Sequence, residues 1–433
     1  MAARKRKIRA RRKVLFAAAP LCAGLLALAG YLYVEGRTGS VYHPHARFVG
    51  KPLKLPPPPE AAPFVWPNYG YTKNHLRDFP APPSFGPPFH ELWSYNEGAL
   101  LEFPPVIYGK TLYQLADNAT LSAIDTETGR VVWRKRLGAL SASSPAVTPT
   151  TVYVTIFSRQ PGLEAGEVVA LDRETGAIRW SRDLPSPSES SPLVNEGIVY
   201  FGSQDGTVYA LNAETGQTVW TYHAEGAVKA SPTLAEGVLY FGDYAGNLQA
   251  VEARTGRLIW KVASEGAIIG SGTFYSTPAV AYGRVFLGNT DGRIYAYDQR
   301  TGALDWAVQT GAYVYSSPAV AEAPGLGPTI YIGSYDGHLY ALNARTGAID
   351  WSFDAGGKIS GSPTIVGQIV YFSDLGTNRT FGLNITTGKP VFQFPEGAFD
   401  PVITNGKTIF LSGYNTLHAL QPVSTQAGVA QAH

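Results

Sequence analysis

The phrase Thr-Gly, three residues, then an aromatic occurs seven times in this chain: Thr128-Gly129…Trp133, Thr175-Gly176…Trp180, Thr215-Gly216…Trp220, Thr255-Gly256…Trp260, Thr301-Gly302…Trp306, Thr346-Gly347…Trp351 and Thr387-Gly388…Phe392. Successive glycines lie 47, 40, 40, 46, 45 and 41 residues apart. Self-similarity at that period restricts a chain to solenoids, propellers or arrays, whose units bury their apolar faces against one another. Six of the eight tryptophans take the aromatic position, so the repeat also decides where the largest apolar side chains go.

The unit from Ser231 to Lys261 shows what is repeated. Ser231-Pro232 opens a short strand, Glu236-Gly237 turns it, and Val238 to Phe241 is β-branched and aromatic. A turn at Gly242 to Gly246 leads to Leu248–Val251, and Ala253 to Gly256 turns into Leu258–Lys261. Four short strands with a turn signal every eight to twelve residues is the pattern of a propeller blade. Other copies place Asp205-Gly206, Asp291-Gly292 and Asp336-Gly337 between the second and third strands, a strong hairpin signal because Gly accepts positive φ. Before the Thr-Gly stand Asp125, Asp172, Asn212, Asp298, Asn343 and Asn384, whose side chains can accept from backbone two residues on. The aromatic that follows is expected to fill the gap between adjacent blades.

The strand starts recur as well, at Pro145, Pro192, Pro232, Pro278, Pro318 and Pro363, with Pro104 and Pro401 in the same place. Eight starts against seven Thr-Gly-aromatic ends leave the last unit, Asp400 to Leu420, one strand short. Glu91 to Pro104 aligns with Gln217 to Pro232 and sets Trp93 where Trp220 sits. The chain is therefore expected to be all-β, an eight-bladed propeller of four-stranded blades over residues 89–422, closed by its N-terminal strand so that no sheet edge is left between first and last blades. Trp93, Trp133, Trp180, Trp220, Trp260, Trp306, Trp351 and Phe392 are the expected blade-docking residues. Insertions lengthen blade two (Arg159 to Glu167), the start of blade five (Gly270 to Tyr275) and blade six (Ala323 to Pro328).

Ala170-Leu-Asp-Arg-Glu-Thr-Gly-Ala-Ile-Arg-Trp180 and Ala210-Leu-Asn-Ala-Glu-Thr-Gly-Gln-Thr-Val-Trp220 resemble the tryptophan-docking repeat of the pyrroloquinoline-quinone (PQQ) type. Quinoprotein dehydrogenases share that repeat with the lipoprotein propeller subunit of the outer-membrane β-barrel assembly machine. The resemblance runs from Trp66 to Leu420 and includes an entry segment, Trp66 to Thr72. It implies the fold, and it offers two kinds of function, protein interaction and quinone-dependent oxidation. A WD-repeat propeller is disfavoured, since no repeat-end Trp is followed by Asp.

Residues 4 to 13 carry eight Lys or Arg and no acid, and Val14 to Val34 is an uncharged 21-residue run. That length spans a bilayer, and the positive-inside rule puts residues 1–13 in the cytoplasm and the propeller outside it. The expectation is a transmembrane signal-anchor at 14–34, a single pass in the cell membrane. A cleaved signal peptide ending near Ala27-Leu28-Ala29 is the competing reading. Cys22, the only cysteine, makes a poor lipoprotein box, so the lipid anchor of the assembly-machine subunit is not matched. Without residues 1–34 the chain has 27 bases against 33 acids, an acidic ectodomain that argues against a nucleic-acid partner. Residues 35–88, with 12 prolines between Pro52 and Pro88, read as a Pro-rich spacer, polyproline II at Pro56 to Pro59, with Phe64 to Tyr71 docking on the ring. Residues 423–433 read as a disordered tail.

Ligands of propellers bind near the axis. Three residues before the start prolines, consecutive blades supply Glu189, Lys229, Tyr275 and Tyr315. An acid, a base and two phenols on one arc form the candidate ligand-binding set at the channel mouth. Hydroxyls precede most of the prolines (Ser144, Ser191, Ser231, Thr277, Ser317, Ser362) and are expected to bond backbone. His223, His338 and His418 are expected to face solvent. No catalytic or metal-ligating residue stands out, and no Cys-Cys pair matches the one that many enzymes of the resembled family carry. The leading expectation is a monomeric scaffold or interaction module, with a role in envelope protein assembly by analogy to the assembly-machine subunit, an unidentified protein partner and no cofactor. The alternatives are a dehydrogenase using PQQ with calcium on an alcohol or sugar, and a cell-surface small-ligand sensor.

Overall fold

The computed structural model describes residues 39–43, 46–51, 63–162, 164–266, 272–399 and 402–423. Eight antiparallel sheets of four blade strands each form the ring. Blade three is typical: Leu193–Asn195 innermost, then Ile198–Gly202, Thr207–Asn212 and Thr218–His223 at the outer edge. The middle strands are buried but for Ile198 and Asn212 at one end, whereas the outer strand is mostly exposed, with Trp220 buried and Tyr222 half-buried. Closure is as expected. Phe89–Asn96 pairs antiparallel with Thr416–Pro422, Trp93 opposite Ala419, with the same one-residue bulge that sets Trp220 opposite Ala210.

The repeat phrase is explained at the blade junctions. Each indole N–H donates to a carbonyl of the next blade's Thr-Gly turn: Trp93 to Thr126 at 3.2 Å, Trp133 to Arg173 at 3.1 Å, Trp180 to Ala213 and Trp220 to Ala253 at 3.0 Å, Trp260 to Gln299, Trp306 to Ala344 and Trp351 to Ile385 at 3.1 Å. The turn's glycine lies against the same indole. A Cβ on Gly256 would stand 2.6 Å from Trp220, and φ there is 71°. Only glycine meets both demands. The Asx residues cap these turns as expected; Asp172 Oδ1, for instance, accepts from the amides of Glu174 and Thr175. Phe392 is the exception that fits the rule. Blade eight has no Thr-Gly turn, and the Phe392 ring meets Phe89 edge-on at 5.3 Å instead.

The N-terminal segment adds a strand to three blades. Val41–Tyr42 extends the outer edge of blade five, which is why Trp306 is wholly buried while most docking tryptophans are partly exposed. Val65–Trp66 pairs with the innermost strand of blade one, and Asp78–Phe79 with that of blade seven. Between them the chain crosses one face of the ring. Backbone carbonyls of Pro67, Lys73, Asn74, Leu76 and Arg77 accept from the amides of Val147, Leu234, Val280, Val320 and Ile365 at 2.7 to 3.0 Å. Those five amides sit two residues beyond the start prolines of blades two, four, five, six and seven, on inner edges with no other strand to bond. The expected span at 14–34 and the tetraproline at 56–59 lie outside the described residues. Among the described residues no helix is long and apolar enough to cross a membrane.

Candidate functional site

The common offset from the start prolines sets Glu189, Lys229, Tyr275 and Tyr315 at one depth, and all four line a single narrow pocket on the axis, a cavity of about 40 Å³. Lys229 Nζ lies 2.7 Å from Glu189 Oε1, and Gln204 donates to the same carboxylate oxygen. The pair is mostly buried, the side chains 20% and 12% exposed, so it is not the solvated surface pair that such an acid and base usually make.

The arc holds more aromatics than the proline offset finds. Tyr244 lies 6.2 Å from Tyr275 and 4.9 Å from the Lys229 ammonium. Tyr275 meets Tyr315 edge-on at 5.5 Å, and Tyr315 lies 4.9 Å from Tyr335 and 6.0 Å from Tyr313. Lys358 Nζ stands 5.5 Å from the Tyr335 ring, and the Tyr335 hydroxyl is 3.3 Å from Ser360 Oγ. Burial lifts the Tyr275 phenol well above the ordinary range and raises Tyr244 and Tyr315, with the Glu189 charge adding to the first two. These phenols stay protonated at neutral pH and can donate. The other side of the pocket is plainer, with Phe103 and Phe399.

Below the arc runs the hydroxyl ring, and it does what was expected of it. Ser191 Oγ accepts from the Ser144 amide, Thr277 from Ser231, Ser317 from Thr277 and Ser362 from Ser317, at 2.9 to 3.1 Å. These bonds join neighbouring blades. The floor is Tyr69, from the segment that crosses the far face; its hydroxyl is 3.0 Å from Ser362 Oγ. Sequence reasoning missed Tyr69, Tyr244, Tyr313, Tyr335, Lys358 and Glu102. One histidine needs correcting. His418 does not face solvent but is buried, between Glu91 and Glu396 at 3.2 and 3.1 Å and against the Phe394 ring. It takes an interior position because it occupies the register of Tyr209 in blade three.

The family model of the outer membrane protein assembly factor BamB matches residues 90–163, 155–264, 224–326 and 316–426. The chain belongs to the BamB family. BamB from Moraxella catarrhalis is similar in structure with a TM-score of 0.62 at 19% identity, covering 77% of this chain and 99% of that one. Quinohemoprotein alcohol dehydrogenase from Comamonas testosteroni reaches 0.68 at 14% identity, over 85% and 82%. The computationally designed Ika8 protein reaches 0.63 at 16% identity, over 77% and 99%. That a designed protein is as close as BamB shows that these structural likenesses speak for the fold alone. No curated protein matches the sequence.

This BamB-family pocket offers few carboxylates to a calcium ion. Calcium takes six to eight oxygen ligands. The pocket's carboxylates are Glu102 and Glu189, and Glu189 is held by Lys229 and Gln204. Among the described residues no three His, Cys, Asp or Glu side chains stand close enough to share a metal ion.

Proposed function

We propose that this chain is an extracytoplasmic binding module of the BamB family, tethered to the cell membrane by residues 14–34, whose tyrosine-lined mouth receives a segment of a partner protein. The observation that carries the reading is the convergence of Glu189, Lys229, Tyr275 and Tyr315 on one open pocket, with Tyr244, Tyr313 and Tyr335 in ring contact with them. Tyrosines supply large, stiff contact area with a polar tip at small entropic cost, and a mostly buried ion pair supplies orientation more than affinity. The basic tract at residues 4–13 and the apolar run behind it support the tether and its direction. A role in envelope protein assembly rests on kinship with BamB.

The test is chemical cross-linking of the full chain in its own membrane, wild type against the double variant Glu189→Gln/Lys229→Gln. The pair is replaced by neutral groups of similar size, so the ring should melt near the wild-type temperature. Loss of the partner adduct at unchanged melting supports the mouth as the site. An adduct that survives the double substitution contradicts it.

A further inference from the structure

We propose that residues 63–79 are a releasable plug, which closes the channel opposite the tyrosine mouth and makes the pocket a blind one that takes the tip of a partner segment, a chain end or a tight loop, and not a strand threaded through the ring. The statement about the tip rests on the reading of the mouth as a binding site; the plug does not.

The closure follows from position along the innermost strands. The mouth residues stand three before the start prolines, the hydroxyl ring one before, and the amides bonded by the crossing segment two after. The segment therefore lies past the ring of hydroxyls, at the other end of the channel. Besides the five bonded blades, it pairs with blade one through Val65–Trp66, and Lys73 reaches Asn195 of blade three. Tyr69 turns up from it to meet Ser362. Trp66, Asn68, Tyr69, His75, Leu76, Arg77 and Phe79 are buried.

Releasability follows from how poorly the segment satisfies itself. Of the twelve buried side-chain polar atoms without a hydrogen-bond partner among the described residues, five belong to it: Trp66 Nε1, Asn68 Oδ1, His75 Nε2, and Nε and Nη2 of Arg77. The buried Arg77 guanidinium has the Tyr69 ring 3.9 Å from its Cζ. A buried donor left unpaired loses its solvation and gains nothing in return. The backbone is strained as well. Tyr71, His75 and Arg77 adopt φ of 70°, 53° and 53°, a region that costs non-glycine residues free energy and that persists only where surroundings impose it. Five unpaired polar atoms and three left-handed residues thus gather within one short segment, the chain leading from the ring to the tether. Elements of low local stability open before the global fold does.

Amide hydrogen exchange on the full-length chain in detergent micelles tests this without any ligand. The amides of Val147, Leu234, Val280, Val320 and Ile365 are expected to exchange together, at least tenfold faster than the central-strand amides of Tyr209 and Ala250. Arg77→Leu removes the orphaned guanidinium and is expected to slow all five by threefold or more, whereas Trp66→Ala speeds all five and leaves Tyr209 and Ala250 unchanged. Exchange of the five at the central-strand rate, or independently of one another, overturns the plug, as does faster exchange in Arg77→Leu. Should Trp66→Ala fail to fold, Arg77→Leu alone decides. Whether a tip reaches the floor is a separate question, answered by a photo-reactive residue at position 69. An adduct with the partner captured at the mouth supports the blind pocket, and its absence when the mouth does cross-link contradicts it.

Discussion

The blade junctions and the plug do the same job by different means. Both close gaps between blades with aromatic side chains and bond backbone groups that a four-stranded sheet leaves open. At seven junctions the indole is shaped to a glycine turn and its N–H finds a carbonyl at 3.0 to 3.2 Å. In the plug, Trp66 is buried at 1% exposure with its N–H unpaired among the described residues, and Arg77 and His75 of the same segment carry unpaired nitrogens. The junction is built to stay closed and the plug is not. The difference places the firm part of the molecule in the ring and the yielding part at the join between ring and tether.

Trp220→Ala should break the contrast most severely. It removes a nearly buried indole that packs on Gly256 and bonds Ala253, and about 3–5 kcal/mol of stability is expected to go with it, read by denaturant unfolding. Gly256→Ala attacks the same junction from the other side. A left-handed non-glycine residue costs about 1–2 kcal/mol and overpacking against the indole adds about 1–3 kcal/mol. Together these should lower the melting temperature nearly as much, whereas alanine at Gly237, whose Cβ would meet nothing, should bear the backbone cost alone. Trp351→Phe keeps an aromatic ring and deletes one of the two bonds to the Ile385 carbonyl, which the Tyr331 hydroxyl also reaches at 2.9 Å, for a loss of about 0.5–1.5 kcal/mol.

The smallest effect is a pH dependence hidden in the plug. Burial raises the Asp78 carboxyl from 3.8 to about 7, so its contribution is complete at low pH and is lost as pH rises toward 7. Burial, helped by the Arg77 charge, lowers the His75 imidazole from 6.5 to about 3, so its contribution is complete above 6.5 and is lost as pH falls toward 3. The two run in opposite directions between about 4 and 6.5. Wild-type protection of the plug amides should be nearly flat there. Asp78→Asn should make it fall on acidification, and His75→Gln should make it fall as pH rises. A wild-type slope as steep as either variant's would remove the compensation.

Features that recur seven times were readable from the chain alone. The Thr-Gly turn, the docking indoles and the short final blade each declare themselves by alignment, and so does Trp93. The mouth was half readable for the same reason. Counting back from the start prolines finds Glu189, Lys229, Tyr275 and Tyr315, but Tyr244 and Tyr335 sit at the second position of the turn between second and third strands, where Gln204 and Thr290 stand in other blades. The same counting applied to that turn finds them. Tyr69 and Arg77 could not be found this way. They belong to a segment with no second copy, neither strand- nor helix-periodic, whose path is set by carbonyls meeting amides on five different blades. Likewise His418 looks isolated until its register in the third strand of blade eight is known.

The most direct test of the mouth places a photo-reactive residue at position 315, on the tyrosine arc, and in a second protein at position 219, on the exposed outer edge of blade three, each in the full chain in its native membrane. The account predicts a discrete partner adduct from position 315 that Lys229→Gln weakens, and none from position 219. An adduct from position 219 with none from 315 would put the partner on the blade edges and contradict the account.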